Sequence, residues 1–563
     1  MEVKIIHCVG CDGFSDPAHP KCRDRCPSTP PLFPLSDDTD VVVYQNKTFS
    51  KIHYRKTDEF VIIPFFVDVI LAPVFGKTLK RYEVKDATVR ILKTKDQIQP
   101  LYRLDIPDLN QKFETLFSLY AQYEQKDLTN QMLDTWIKKY GILDYLLADP
   151  HIQEININPP EFQTPMRIIH EEFDECTTNI YPTRDFLNYL ATVLKIRTGR
   201  PLNKSQPQLD GEIMVEKRKA RVAAIREPFS IFGTGYSIRV HREKPWTLPL
   251  FMENNAINDW FAGLMGLAIT HGRTFMIAGP RGSGKTALLG ALMLEILPKY
   301  RIITIEDTQE LPIEAYQSLG YDLISLKVKS ALVSESLEMP YDKGLRTSLR
   351  LGDSVLIVGE IRSKEAAVLY EAMRVGAMSN VVAGTVHADN PYGVYDRVVN
   401  DLDVPRGSFK ATDLIVIVKQ IKTPSTLKRV RRVTQVTEVL KDWETEPKFQ
   451  DLLVYNPKTD TLEPTKELLD GKSIFIQQIL EVTRGYRDYQ NVLDDLKLRA
   501  WAKKRLLDEL GKEKKLLEAP TVLRANVQYA QLFNDMLPLE SKQNEEKFKQ
   551  SFEKILQAFK ITE

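Results

Sequence analysis

One glycine-rich segment carries the residues with the clearest chemistry in this sequence. It consists of Gly279, Pro280, Arg281, Gly282, Ser283, Gly284, Lys285 and Thr286. Glycines let a backbone fold around an anion with its N–H groups pointing inward. The Lys285 ammonium can reach β- and γ-phosphates, and the Thr286 hydroxyl is a suitable ligand for Mg²⁺. The segment therefore predicts a site for a nucleoside triphosphate with Mg²⁺.

The residues on either side of this segment are those that a phosphate site requires. Residues 275–278 form a short apolar run typical of a buried strand, and residues 287–297 are rich in Ala, Leu, Met and Ile, which favours a helix. A strand, a glycine loop and a helix in this order place the partial positive charge of a helix N-terminus at the phosphates. A glycine-rich turn without a ligand is the alternative, and the flanking pattern disfavours it.

Acidic residues and one histidine follow three apolar runs further along the chain. The runs 301–306, 353–359 and 381–386 are predicted strands, and the polar residues at their ends are Glu306, Asp307, Glu310, Glu360, Arg362 and His387. The C-terminal strand ends of an open parallel sheet surround its ligand crevice. We therefore expect these groups to converge on the γ-phosphate and Mg²⁺. The sequence leaves open whether Glu306 or Glu360 is the general base.

Four of the five cysteines lie within the first 26 residues, as Cys8, Cys11, Cys22 and Cys26. Two close pairs of thiols at this separation resemble a zinc ribbon, in which four thiolates complete a closed tetrahedral and therefore structural site. A redox pair or unliganded thiols are the alternative.

Composition limits the classes of protein that the chain can belong to. The formal charge of +1 gives no reason to expect binding to nucleic acid, and 43% apolar with 27% charged residues is typical of a globular protein. No signal peptide is visible, and the most apolar stretch, residues 60–75, contains Pro64, Asp68 and Pro73 and is too short to span a bilayer. We expect a cytoplasmic protein with no transmembrane segment.

Several motifs together resemble the secretion and pilus motor ATPases of the type II/type IV superfamily, in its archaeal branch. The similarity covers residues 110–440, approximately. It includes the phosphate loop, an acidic box (Glu306, Asp307, Glu310), a Gly-Glu-x-Arg motif (Gly359, Glu360, Arg362), a histidine motif (Thr385, His387, Asp389) and, upstream, Asp149-Pro-His-Ile-Gln-Glu-Ile-Asn-Ile-Asn158. The histidine that this family usually has before the third strand is missing from residues 376–384.

The resemblance implies an α/β fold class: a RecA-like P-loop ATPase domain preceded by an α/β N-terminal domain. The expected divisions are a zinc-ribbon-like segment with a linker at 1–34, a small mixed or β-rich region at 35–110, the α/β domain at 111–243, the ATPase domain at 244–440 and a helical C-terminal region at 441–563.

The resemblance also implies a mechanism and partners. The expected cofactors are ATP and Mg²⁺, and the chain is expected to form a homo-hexamer bound to an integral-membrane platform protein, so that it is peripherally associated with the membrane. A neighbouring subunit would supply positive charge to the γ-phosphate, as arginine fingers do. Arg221 and Arg239 are the candidates, and Arg346 and Arg350 are the second choice.

Three functions remain open from the sequence. The first is a motor for pilus-like or archaeal flagellum-like filaments or for type II-like secretion. The second is a traffic ATPase of type IV secretion or conjugation. The third is a scaffold that nucleotide binding merely switches, which the presence of Glu306, Glu360 and His387 disfavours.

Overall fold

The computed structural model of the chain describes most of residues 76–562 and four short strands before them. Between residues 76 and 562, the longest stretches outside this description are 107–139 and 329–340; the shorter ones are 96, 161–163, 183, 216–217, 349, 353, 363–364, 377–380, 424–425 and 537–541. The four cysteines of the expected zinc site lie outside the described residues. The chain forms two compact units, residues 1–243 and 244–563.

The first unit is built mainly from strands. They are β1 (Lys4–His7), β2 (Asp40–Gln45), β3 (Thr48–His53), β4 (Val69–Leu71), β5 (Lys77–Val84), β6 (Ala87–Lys93), β7 (Leu101–Asp105), β8 (Ile152–Ile157), β9 (Arg167–His170), β10 (Asp174–Thr178), β11 (Ile180–Pro182), β12 (Gln208–Val215), β13 (Arg218–Ile225) and β14 (Gly235–Val240). Helices α1 (Leu143–Ala148) and α2 (Arg184–Thr198) accompany them.

Nine of these strands form one sheet, in the order β12-β13-β14-β8-β9-β10-β7-β6-β5. The sheet joins strands from both sides of residue 110, because β7 pairs in parallel with β10, with Leu101 opposite Thr177. Residue 110, which the sequence suggests as a domain boundary, therefore does not separate two sheets. A pairing between strands about 70 residues apart has no local signature in a sequence.

The second unit contains the glycine loop and most of the helices. Its strands are β15 (Phe275–Ala278), β16 (Ile302–Glu306), β17 (Leu323–Lys327), β18 (Val355–Val358), β19 (Val382–Val386), β20 (Leu414–Thr423), β21 (Thr426–Val439), β22 (Phe449–Asn456) and β23 (Thr461–Pro464). Its helices are α3 (Leu248–Glu253), α4 (Asp259–Thr270), α5 (Lys285–Met293), α6 (Ile313–Ser318), α7 (Tyr341–Ser348), α8 (Glu365–Gly376), α9 (Pro391–Asp396), α10 (Arg406–Phe409), α11 (Lys466–Leu469), α12 (Ile474–Val482), α13 (Tyr489–Leu510), α14 (Ala519–Met536) and α15 (Lys542–Thr562).

The strands of the second unit form a sheet in the order β17-β16-β18-β19-β15-β20-β21-β22-β23. The first six are parallel to one another, and the last three continue as antiparallel neighbours. Strand β15 is central and wholly buried, with Phe275 and Ile277 in the core on one face and Met276 and Ala278 in the core on the other. A strand covered on both faces reads as a continuous apolar run, which is why the sequence identifies it.

Residues 441–563 only partly match the expected helical region. Strands β22 and β23 extend the sheet past residue 440, because residues 449–454 pair with β21. The helices that follow contact the segment just after α5 through a buried ion pair. Lys503 Nζ on α13 lies 2.6 Å from Glu295 just after α5, and it also donates to Asn526 on α14 at 2.6 Å.

Within the described part of the chain, no helix combines the length and the apolar character needed to cross a bilayer.

Candidate nucleotide-binding and catalytic site

The glycine loop lies between β15 and α5, at the C-terminal edge of the parallel strands. Glycine is required at two of its positions for different reasons. Gly284 precedes α5 with a φ of +94°, which side chains rarely tolerate. A Cβ atom on Gly279 would lie 2.2 Å from the carbonyl oxygen of Val418 on β20, so no larger residue fits there. The loop can therefore approach its neighbours and an anion closely.

The Lys285 side chain is buried and its ammonium group is directed back into the loop. Lys285 Nζ donates to the carbonyl oxygens of Gly279 at 3.0 Å and Pro280 at 3.1 Å, and lies 3.2 Å from His387 Nδ1. Phosphate oxygens are charged acceptors and form stronger hydrogen bonds than neutral carbonyl groups do. A phosphate in the loop would therefore compete effectively for these donors.

His387 follows β19 and connects the loop to the acidic residue of the next strand. His387 Nε2 lies 2.9 Å from Glu360 Oε1, which follows β18. When Nε2–H donates to this carboxylate, Nδ1 carries a lone pair that can accept from the Lys285 ammonium. The ring therefore relays a hydrogen bond from the loop lysine to Glu360.

Arg362 continues this connection to the acidic box. It donates from one nitrogen to Glu360 Oε2 and from the other to Asp307 Oδ2, both at 2.5 Å. Burial by itself raises the pKa of Glu360, but the hydrogen bonds from His387 and Arg362 lower it to about 2. Burial likewise opposes the charged form of Arg362, while the partner Glu360 and the charges of Asp307 and Glu310 raise its pKa above the ordinary value.

These contacts form one hydrogen-bonded chain that follows the strand order. Asp307 follows β16, Glu360 and Arg362 follow β18, His387 follows β19, and Lys285 follows β15, and these four strands are consecutive neighbours in the sheet. The fold therefore brings Lys285, His387, Glu360, Arg362 and Asp307 together at one edge of the sheet, and their action on the γ-phosphate and Mg²⁺ stays a prediction.

Glu306 is placed differently from Glu360. It is 3% exposed, its Oε1 accepts the backbone N–H groups of Glu310 at 3.0 Å and Leu311 at 3.1 Å, and its Oε2 has no hydrogen-bond partner among the described residues. Burial raises the pKa of Glu306 to about 8, against the lowering effect of the two N–H groups. The two rival carboxyl groups thus have their pKa values pushed far apart by their surroundings, a feature of acid–base sites.

The residues fit a nucleoside triphosphate with Mg²⁺. The loop offers backbone N–H groups at a helix N-terminus and a buried cation, and Ser283 Oγ and Glu306 Oε2 are buried without partners in the described part of the chain. Thr286 could ligate Mg²⁺, with Glu360 or Glu306 close to its shell of water, and the metal would neutralise phosphate charge. Mg²⁺ is usually held by few protein ligands together with phosphates. No cluster of three or more His, Cys, Asp or Glu side chains suited to a metal occurs among the described residues.

Arg221 and Arg239, the candidate arginine fingers, lie in the first unit as directly opposed residues of β13 and β14. Arg221 forms a bidentate ion pair with Asp210, at 3.1 and 2.7 Å. Arg239 lies opposite Glu154 on its other side. Of the second-choice arginines, Arg346 on α7 pairs with Glu371 at 3.6 Å at the surface.

Two residues at the loop were not predicted from the sequence. Gln420 on β20 and Arg431 on β21 both donate to the carbonyl oxygen of Gly282, at 2.8 and 3.1 Å. Neither belongs to a local motif, and only the pairing of these strands beside β15 brings them to the loop.

A glycine loop between a central parallel strand and a buried helix is the architecture of a P-loop protein. Residues 153–449 match the family described as type II/IV secretion system protein. The chain belongs to this family.

Individual relatives cover different shares of the chain. The Methanocaldococcus jannaschii protein MJ0900 is 26% identical over 397 residues, which cover 69% of this chain and 67% of that protein. A proposed conjugal transfer protein of Mycobacterium tuberculosis is 32% identical over 213 residues, 37% of this chain and 58% of its own length. This chain thus spans only part of that relative. Among solved structures, the Legionella pneumophila ATPase DotB is 15% identical, with 72% of this chain and 94% of that chain covered and a TM-score of 0.38.

Proposed function

We propose that the chain is an ATP-hydrolysing motor subunit that powers a pilus-like or archaeal flagellum-like filament, or type II-like secretion, through a membrane platform protein. The observation that carries the proposal is the hydrogen-bonded chain from Lys285 through His387 and Glu360 to Arg362 and Asp307. A site that only holds nucleotide needs the lysine and the loop. The further polar groups at the strand ends support a site that also activates water and responds to the γ-phosphate.

Each residue has a role in this proposal. Lys285 and the loop bind the phosphates, Thr286 ligates Mg²⁺, and Glu360 orients or deprotonates the attacking water, with Glu306 as the rival base. His387 and Arg362 hold Glu360, and Asp307 and Glu310 balance the charge of Arg362. Arg221 and Arg239 act on the nucleotide of a neighbouring subunit in a hexamer. A structural Zn²⁺ at Cys8, Cys11, Cys22 and Cys26 completes the proposal.

The test is ATP turnover by Lys285→Ala. Removal of one preorganised charged donor from a reaction centre typically costs about a hundredfold to a thousandfold in rate. We expect at least that loss, together with weaker nucleotide binding in a titration with a fluorescent ATP analogue. Lys299→Ala, a change at another lysine of the same unit, is the control and should retain wild-type turnover. Unchanged hydrolysis by Lys285→Ala would overturn the assignment of the phosphate site.

A type IV secretion or conjugation ATPase is the second candidate, favoured by the 32% identity with the Mycobacterium tuberculosis protein. The two candidates share the chemistry and differ in the partner. Identification of the membrane protein that binds the hexamer, by cross-linking in the native membrane, distinguishes a pilus or type II platform from a conjugation apparatus.

A further inference from the structure

The hairpin of β20 and β21 contacts the outside of the phosphate loop through a matched pair of side chains. Gln420 and Arg431 are directly opposite each other in the hairpin. Gln420 Nε2 and Arg431 Nε donate to the same acceptor, the carbonyl oxygen of Gly282, at 2.8 and 3.1 Å. A carbonyl oxygen has two lone pairs, so both donors can be accommodated together. The loop is thus held from outside at one atom.

The restraint on this carbonyl group fixes the direction of a backbone donor. The peptide unit between Gly282 and Ser283 is planar and trans, so its N–H points away from its C=O. With the Gly282 oxygen held by the hairpin, the Ser283 N–H points in the opposite direction within the peptide plane, and it donates to Pro280 O of the loop at 3.3 Å. Phosphate loops bind anions through such inward-pointing N–H groups. Holding the carbonyl therefore preorganises a donor of the loop.

The two residues after Arg431 connect the same strand to the beginning of the second unit. Arg432 is buried and forms a bidentate ion pair with Asp460, with both distances 2.8 Å, and it donates to the carbonyl oxygen of Asn254 at 3.1 Å. The Val433 N–H donates to Ala256 O at 2.8 Å. Residues 254–256 directly follow α3. One short piece of strand therefore links this segment to the phosphate loop.

We propose that Arg431, assisted by Gln420, is a positioning residue of the phosphate loop and couples the loop to residues 254–256. The inference rests on the proposed function, in which the loop binds the phosphates of ATP. It adds a residue outside the loop and the acidic and histidine motifs, and it gives the beginning of the second unit a route to the nucleotide. Arg431 acts through the backbone of the loop.

The proposal is tested with Arg431→Ala, Arg431→Lys, Gln420→Ala and the Gln420/Arg431 double alanine variant of the full chain. Arg429→Ala is the matched control, since Arg429 is an exposed arginine on the same strand. Loss of one charge-assisted hydrogen bond is expected to weaken MgADP binding about tenfold in Arg431→Ala. Arg431→Lys should recover part of this loss. Because both side chains act on one carbonyl group, the double variant should lose less than the product of the two single losses.

The coupling between the phosphate loop and residues 254–256 is tested by a separate measurement. Addition of MgADP to the wild type should slow hydrogen exchange at the Val433 amide. The ligand orders the loop, and the contact of Arg431 with the loop then stabilises the strand whose Val433 N–H donates to Ala256 O. The same slowing is expected in Arg429→Ala and should be absent in Arg431→Ala at saturating MgADP. If the exchange of Val433 responds equally in Arg431→Ala, the coupling is wrong.

The other outcomes are separable from failure of the proposed function. If Lys285→Ala loses turnover while Arg431→Ala binds MgADP as tightly as Arg429→Ala does, the phosphate site stands and the positioning role is refuted. If the wild type itself binds no nucleotide, the proposed function fails first. If Arg431→Ala does not fold, Arg431→Lys and Gln420→Ala decide, and wild-type affinity in both would overturn the proposal.

Discussion

Glu306 gives the sharpest test of the electrostatics of the site. Its carboxyl group is buried, with one oxygen bonded to the N–H groups of Glu310 and Leu311 and the other without a partner among the described residues. Burial raises its pKa from an ordinary value of 4.5 to about 8. Substitution of Glu306 by Gln keeps the shape and the acceptor oxygen but removes the titration.

The sign and size of the effect follow from linkage between protonation and folding. A carboxyl group whose pKa is higher in the folded state favours folding when it is protonated. That stability is fully present below pH 4.5 and is lost as the pH rises towards about 8. The loss is about 1.4 kcal/mol for each pH unit in this interval, and hence about 3 kcal/mol at pH 7. The side-chain amide of the Glu306→Gln variant does not titrate and has no such loss, and any cost of its unpaired N–H groups does not depend on pH.

The assay is thermal unfolding from pH 5 to pH 9 of the wild type and of Glu306→Gln, at one scan rate, with a chelator and without nucleotide. The Tm of the variant minus that of the wild type should increase steadily up to pH 8 and then level off. Glu314→Gln is the control, because Glu314 is an exposed residue of the neighbouring helix α6, and its Tm difference should not change with pH.

A Tm difference for Glu306→Gln that stays constant from pH 5 to pH 8 would refute the raised pKa. A difference that decreases with pH would show that the folded state prefers the ionised form. The same result bears on catalysis. A carboxyl group with a pKa of about 8 is largely protonated at pH 7 and needs the nucleotide or Mg²⁺ to ionise before it can act as a base.

The remaining predictions concern the second carboxylate, the cysteines and the arginines of the first unit. Glu360→Gln should bind ATP but release phosphate at least about a hundredfold more slowly, as expected for loss of a general base. If Glu306→Gln loses ATP hydrolysis and Glu360→Gln does not, the two roles are exchanged. Elemental analysis of protein purified without added metal should give one Zn²⁺ per chain, and Cys8→Ser with Cys11→Ser should remove it, whereas ATP turnover should persist because a closed site supplies no chemistry. Arg239→Ala and Lys285→Ala should each be inactive alone, and mixtures of the two should regain activity through interfaces that pair an intact loop with an intact arginine; full specific activity from a verified monomer would exclude the shared site.

The strands around the phosphate site were predictable because their signals are local. The parallel strands are buried on both faces and read as continuous apolar runs, and their polar ends come next in the chain. Because these strands are parallel, Lys285, Glu306, Glu360 and His387 all lie at the C-terminal edge of the sheet, although the strand order β16-β18-β19-β15 differs from the order along the chain. The pairing of β7 with β10 is long-range, and the sequence did not indicate it. Strands β22 and β23 are sequential antiparallel neighbours of β21, but the sequence analysis assigned their residues to a helical region.

The protonation of the site could not be predicted from residue types. Glu306 ends strand β16 and Glu360 follows strand β18, yet their pKa values differ. Burial raises the pKa of Glu306 to about 8, whereas hydrogen bonds from His387 and Arg362, against the effect of burial, lower the pKa of Glu360 to about 2. The difference depends on which groups the neighbouring strands bring within hydrogen-bonding distance.

By itself the sequence determined that this chain has a P-loop and which carboxylates and histidine accompany it. Each of these motifs is a short run of neighbouring residues that predicts a known local structure. Only the tertiary structure decided that Arg362 joins Glu360 to Asp307, and that Gln420 and Arg431 hold the Gly282 carbonyl from outside. These contacts depend on strand order and register. Both are set by burial over the whole sheet, and a local pattern of residues does not encode them.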